Sequence, residues 1–227
     1  MQGQRFGGIG DLIKLAFLRH LMEGRRLAVC WYFSEQKERR SLQEKHFSYL
    51  QRPDEFRHLA PEIFDTLKAI VDRRLPDSNY VAALQASGLL AGAPFHCEKV
   101  PKKLRLRRDW ATGLVDWVDD ANLIFLDPEN GIQGKRLTPK HVALSEIAAL
   151  RSRDRALITV QRQSGRRLEA KFIADQLKSI GCDRLELVRF RLVASRFYVV
   201  FDHDDVLSER ISSFARKWGD WVRTYHP

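Results

Sequence analysis

The stretch Asn122-Leu123-Ile124-Phe125-Leu126-Asp127-Pro128-Glu129-Asn130-Gly131 decides the fold. Four apolar residues in succession, bounded by Asn122 and by a Pro/Asn/Gly cluster, read as a strand buried on both faces, as in the middle of a parallel sheet. Open α/β sheets bind ligands beyond the carboxyl ends of their strands, so an acid at this end stands where chemistry is expected. Asp127 is therefore the first candidate. The same residues also make a plain turn, with Pro128 fixing φ and Asn130-Gly131 tolerating positive φ.

On either side of this strand, helices and strands alternate. A helix is predicted from Asp11, as its capping residue, to Gly24, followed by a strand over Leu27–Phe33. Residues 35–90 read as a helical insertion, with helices over Pro61–Leu75 and Asp77–Ser87. Phe95–Val100 is a short strand candidate, and an amphipathic helix opens at Asp109. Beyond Asp127 come a helix over Pro139–Leu150, a strand over Ala156–Val160 and a helix over Arg166–Ile180, closed by Gly181. The pattern then changes to two strands, Arg184–Leu192 and Arg196–Asp202, joined as a hairpin, and a final helix from Val206 to about Arg223. This order predicts one α/β domain over residues 1–227, a doubly wound Rossmann-like sheet ending in an antiparallel hairpin.

The chain has 227 residues, 44% of them hydrophobic and 30% charged, as in a globular protein with one sizeable core. Its apolar runs are shorter than the ~20 residues a membrane helix needs, and Met1-Gln2-Gly3-Gln4-Arg5 does not open a signal peptide; a cytoplasmic protein without a membrane partner is expected. Cys30, Cys97 and Cys182 show no metal-ligand spacing, and no metal site is expected from them or from the seven histidines. Buried reduced thiols are the default for the three. Asp202-His203-Asp204-Asp205 reads as a strand end and helix cap. Trp110, Trp117, Trp218 and Trp221 are assigned to helix cores, and Trp31 and Tyr32 to core packing with a possible approach to a base.

The formal net charge of +10 attracts polyanions, and in a chain without an amphipathic anchor that points to nucleic acid. Six of the ten residues from 99 to 108 are basic: Lys99, Lys102, Lys103, Arg105, Arg107 and Arg108. They are the candidate phosphate contacts, part of them on an exposed loop, with Arg151, Arg153 and Arg155 as helpers. Near the other end of the chain lies Phe6-Gly7-Gly8-Ile9-Gly10-Asp11-Leu12-Ile13-Lys14. Glycines before a helix let the backbone approach an anion, and Lys14 would add a point charge. The bland alternative is an N-terminal arm with a capping Asp.

Gly7-x-x-x-Asp11-x-x-Lys14 followed by Asp127-Pro128 resembles the bacterial 23S rRNA adenine-N6 methyltransferase family. The segment Phe6 to Lys14, the Trp31-Tyr32 strand and Leu126 to Ile132 resemble more closely a group of bacterial proteins with the patterns Phe-Gly-Asp-Ile-Gly-Asp-x-x-Lys and Leu-Asp-Pro-Asp-Asn-Gly-Leu. The resemblance implies a class I S-adenosylmethionine-dependent methyltransferase-like fold, and S-adenosylmethionine held near Gly7, Gly8, Gly10, Asp11 and Lys14. It also implies that Asp127 and the Pro128 carbonyl accept hydrogen bonds from a base amine, with Asn130 completing the catalytic candidates. Glu129 and Asn130 stand where that family has a second Pro and a stacking aromatic residue. Ser34-Glu35-Gln36 stands where it has glycines.

The expected function is thus methyl transfer to a base amine of RNA or DNA. Two alternatives stay open: a metal-dependent nuclease or phosphoesterase using Asp11, Asp127 and Glu129, and a nucleic-acid-binding module on a degenerate fold.

Overall fold

The computed structural model describes residues 7–34, 47–75, 79–152, 154–162, 170–191 and 196–226. In chain order the elements are α1 (Ile9–Leu21), β1 (Leu27–Trp31), α2 (Pro53–Phe56), α3 (Pro61–Asp72), α4 (Tyr80–Ala86), β2 (Phe95–His96) and α5 (Leu104–Trp117). Next come β3 (Leu123–Asp127), β4 (Gly131–Ile132), β5 (His141–Val142), α6 (Leu144–Leu150), β6 (Ala156–Arg162) and α7 (Ala170–Lys178). The chain closes with β7 (Leu185–Phe190), β8 (Arg196–Phe201), α8 (Asp205–Trp218) and β9 (Val222–Tyr225).

A seven-stranded sheet has the order β2-β1-β3-β6-β8-β7-β9. Strands β2, β1, β3 and β6 are parallel neighbours, as the apolar run through Leu126 predicts. Strand β8 is antiparallel to both of its neighbours, β6 and β7, so the C-terminal hairpin enters the sheet with its second strand inward. From β1 the chain moves out to β2, then returns across to β3. That reversal puts the topological switch point of the sheet at the carboxyl ends of β1 and β3, where Trp31 lies opposite Asp127.

Alternation along each strand feeds two hydrophobic layers. Val29, Trp31, Phe125, Ile158, Tyr198 and Val200 face α1, α3, α4 and α8. Cys30, Ile124, Leu126, Leu157, Val199 and Phe201 face α5, α6 and α7. Helix α1 is buried along most of its length because it lies between the sheet and its neighbours; Phe17 meets Phe190, Tyr198 and Phe214 edge-on at 5.2–5.6 Å between centroids. The described part of the 35–90 segment is an integral cover of this layer, with Tyr49, Phe64 and Leu67 joining the α1 core. Residues 35–46 and 76–78 of that segment lie outside the described residues.

Several boundaries differ from the sequence reading. Asp11 is not the cap of α1: Gly8 takes that position, and the Asp11 carboxylate reaches back to accept the Gly7 N–H at 2.8 Å. Helix α5 starts inside the basic run, five residues before Asp109. Residues 138–143 are not helical; His141-Val142 pairs in parallel with Gly131-Ile132 as a small second sheet, and α6 begins only at Leu144. Helix α8 stops at Trp218, where Gly219 takes a positive φ of 53°, and the chain then adds an unforeseen edge strand, β9. Trp221, expected in a helix core, is exposed, and so is Cys97. Asp204 caps α8 by accepting the Leu207 N–H, as its position predicts.

Candidate functional site

The two segments singled out in the sequence meet although they are far apart in the chain. Lys14 Nζ lies 2.9 Å from Asp127 Oδ2 and 3.2 Å from Asp11 Oδ1. Lys14 can reach Asp127 because α1 crosses the sheet face to which β3 directs Leu123, Phe125 and, by the same period of two, Asp127. The ammonium sits over the Trp31 ring at 5.1 Å and near Phe125 at 6.0 Å. Tyr198, from the reversed strand β8, stacks on Phe125 at 6.2 Å.

This triad is enclosed rather than open: Asp11, Lys14 and Asp127 are 6%, 2% and 4% exposed. Burial opposes the charged form of Lys14, yet Asp127 and then Asp11 outweigh it, and the ammonium is held well above the ordinary lysine value. Burial likewise opposes ionisation of Asp127, but the Lys14 ammonium, helped at longer range by Arg196, holds its carboxyl below the usual carboxylate range. Burial raises the Tyr198 phenol, against the pull of Lys14, so it remains a neutral hydroxyl. Beneath the Lys14 ammonium, the indole Nε1 of Trp31 is buried without a hydrogen-bond partner among the described residues.

Gly7 has φ of +80°, and a Cβ there would stand 2.4 Å from Val71 Cγ2. Its N–H is donated to Asp11 and its carbonyl accepts the Tyr49 hydroxyl at 2.9 Å. Gly7 therefore lets the entry to α1 pass closely against α3. With Asp11 and Lys14 spent on each other and on Asp127, the Gly7–Lys14 segment does not fit the direct cofactor ligand implied by the resemblance. The geometry also counts against a divalent ion between Asp11 and Asp127, since the Lys14 ammonium already compensates both carboxylates and Glu129 pairs with Lys140 at 3.1 Å.

Past Asp127 the chain is rigidly tied. Pro128 is buried, and Glu129 and Asn130 are half-buried. The Asn130 N–H donates to the Lys140 carbonyl, and the Asn130 carbonyl accepts the Arg162 N–H. Gly131, at φ of +106°, crosses so close to β6 that a Cβ would meet Gln161 Oε1 at 2.2 Å and Gln161 Cα at 2.9 Å. Asn130-Gly131 thus serves a close backbone crossing rather than a free turn.

The basic run divides by function. Lys99, Lys102, Lys103, Arg105 and Arg108 are exposed. Arg107 is not: it is buried, forks onto Glu146 at 2.6 and 3.0 Å, and donates to the carbonyls of Thr138 and His141. Glu146 in turn accepts the Ala143 N–H and the Tyr32 hydroxyl. Arg107 is therefore corrected from a phosphate contact to the bolt that fastens α5 to the segment after Asp127. Its helical phase with Trp110 and Leu114 carried that signal; nothing local marked Glu146, Tyr32 or Tyr198.

The proposed helpers are also displaced. Arg155 sits before β6 at the opposite, amino edge of the sheet, where it donates to the carbonyls of Val118, Asp119, Ala121 and Leu150. Arg151 is tied there to Asp202 and to the Ile180 and Gly181 carbonyls. Arg153 lies outside the described residues, as does the start of the helix predicted from Arg166. By contrast, the 99–103 segment stands at the carboxyl edge, since Lys99 bridges Phe33 and the Val100 N–H donates to the Phe33 carbonyl at 2.9 Å.

Comparison with known protein families and with curated proteins returns no match for this chain. No helix among the described residues is long and apolar enough to cross a membrane.

Proposed function

We propose that this protein acts on nucleic acid from the carboxyl edge of a methyltransferase-like α/β sheet, with a base amine of the adenine-N6 type as the group received beside Asp127 and Pro128. The observation that carries the reading is the sheet order: a topological switch between β1 and β3 with an ionised acid, Asp127, at the strand end, and a reversed strand, β8, inserted between β6 and β7. The exposed cations of residues 99–108 flank the same edge and suit a polyanion.

In this reading Lys14 is a positioning residue. It keeps Asp127 ionised and fixed, so the carboxylate acts as an acceptor for amine hydrogens without reorganising. The tie between Arg107, Glu146 and the 138–143 segment stiffens the turn on which Pro128 is carried. The activity that the resemblance implies is methyl transfer from S-adenosylmethionine. Because Asp11 and Lys14 are closed on each other and on Asp127, the cofactor would have to be held by other residues.

A second reading, a nucleic-acid-binding protein without catalysis, is favoured by that same closure. Calorimetric titration with S-adenosylmethionine, beside anisotropy titrations of labelled RNA and DNA oligonucleotides, separates the two. Binding of both ligands supports the enzyme, binding of nucleic acid alone supports the second reading, and binding of neither overturns both.

A further inference from the structure

The ladder between β6 and β8 ends on two arginines set opposite each other. Arg162 is paired with Arg196, one step beyond Gln161 and Phe197 and two beyond Val160 and Tyr198. Side chains directly opposite on antiparallel strands stand about 5 Å apart at Cβ, and like charges so placed repel. Arg162 is exposed and Arg196 half-buried, and neither makes an ion pair or a side-chain hydrogen bond among the described residues.

The pair stands on the Asp127 side of the sheet. Val160 and Tyr198 face the α1 layer, so by the period of two Arg162 and Arg196 do as well. Leu126 lies opposite Thr159, which sets Asp127 level with Val160 and Tyr198 and the arginines about 7 Å beyond that level along the strand direction. Two further observations tie the pair to this acid. The Arg162 N–H donates to the Asn130 carbonyl, in the turn after Asp127, at 3.2 Å, and the Arg196 charge acts on both Asp127 and Tyr198.

We propose that Arg162 and Arg196 together bind one phosphate of a nucleic-acid strand whose base is received beside Asp127. This rests on the nucleic-acid reading above and adds the residues that seat the substrate nucleotide. A guanidinium fork donates two parallel N–H bonds to phosphate oxygens, and two forks on one phosphate turn the repulsion of the bare ladder into attraction. The site lies across β3 from Lys99, which bridges Phe33 beyond β1, so the strand would be held on both sides of the acid. A second facing pair, Arg189 and Arg223 across β7 and β9, supplies a control of equal charge. It lies on the other face, shared with Leu187, and Arg189 rests over the Phe197 ring at 5.7 Å.

The test is anisotropy titration of labelled single-stranded RNA and DNA oligonucleotides with the full chain across a salt series. Arg162→Gln/Arg196→Gln is expected to weaken binding about tenfold at physiological salt and to lower the log–log salt slope by about 0.7, the value for one shared phosphate. Its melting temperature should stay the same or rise, because a repulsion is relieved. Arg189→Gln/Arg223→Gln is expected to keep affinity within about threefold. Equal losses in the two variants, or an unchanged slope in the first, overturn the site and leave the nucleic-acid reading standing. A lower melting temperature in the first variant would show that the arginines are spent on the fold, and overturns the site as well. Calorimetric titration with inorganic phosphate separates the source of the anion. Phosphate binding that the first variant loses while its oligonucleotide affinity is unchanged would assign the pair to a free anion and overturn the assignment to a strand. Failure of the wild type to bind any oligonucleotide overturns both the site and the nucleic-acid reading.

Discussion

Replacing Lys14 by Met tests whether the buried triad holds the site together. The substitution keeps the length of the side chain and its packing on Trp31 but removes the charge that compensates Asp127 and Asp11. Removing one partner of a buried ion pair leaves an uncompensated charge and costs about 3–5 kcal/mol. For a chain of this size each kcal/mol shifts the melting temperature by about 2–4 °C, so a fall of about 6–20 °C is expected. The pH dependence gives a second handle. Asp127 has a depressed pKa in the folded protein, so its stabilisation is present above the unfolded value of about 3.9 and is lost as pH falls through the folded value. Lys14 has a raised one, so its share is complete below about pH 10.4 and is lost as pH rises through the folded value. The deficit of Lys14→Met should therefore be flat around neutrality and shrink as pH is lowered towards about 4, where Asp127 in the variant takes up a proton. Urea denaturation followed by circular dichroism at several pH values measures this, and Lys14→Met/Asp127→Asn should recover part of the loss. A cost below about 1 kcal/mol, as for an exposed pair, with no pH dependence would refute the reasoning.

Other substitutions separate packing from surface charge. Gly131→Ala should destabilise by at least about 1–3 kcal/mol in thermal melts, because of its positive φ and the contact with Gln161, whereas Gly113→Ala, in helix α5 with open space around it, should stabilise by up to about 1 kcal/mol. Arg107→Ala should cost several kcal/mol by stranding Glu146, about 3–5 by the same measure, while Arg105→Ala and Arg108→Ala leave the melting temperature nearly unchanged and weaken oligonucleotide binding. Glu186 is fully buried, its Oε1 has no hydrogen-bond partner among the described residues, and burial raises its pKa, so ionising it opposes folding above the unfolded value of about 4.3. Glu186→Gln should therefore stabilise by about 1 kcal/mol at neutral pH, with the gain disappearing below about pH 4 in a series of melts.

Much of the frame was legible because it rests on local pattern. The run Leu123 to Leu126, the change to a hairpin after Arg184 and the helix through Leu12 to Leu21 are each specified by short-range apolar spacing and turn residues, and each is found there, although the helix opens at Ile9 rather than at Asp11. What was not legible depends on partners distant in sequence. Asp127 looks the same in the chain whether it faces a crevice or a buried lysine 113 residues away. Six basic residues in ten look alike until the phase of α5 turns Arg107 inward against Glu146, itself an ordinary helix glutamate in sequence. Strand β9 is four residues long and takes its place through pairing with β7, distant in sequence, so nothing before Gly219 announces it.

The central claim, that the carboxyl edge of the sheet is the working face, is tested most directly by hydrogen exchange read peptide by peptide with and without a bound oligonucleotide. Protection is expected over Lys99–Leu106 and Pro128–Val142, with the amino edge around Arg151 and Arg155 unchanged. Protection confined to the amino edge, or none in either region while the oligonucleotide is bound, would contradict the account.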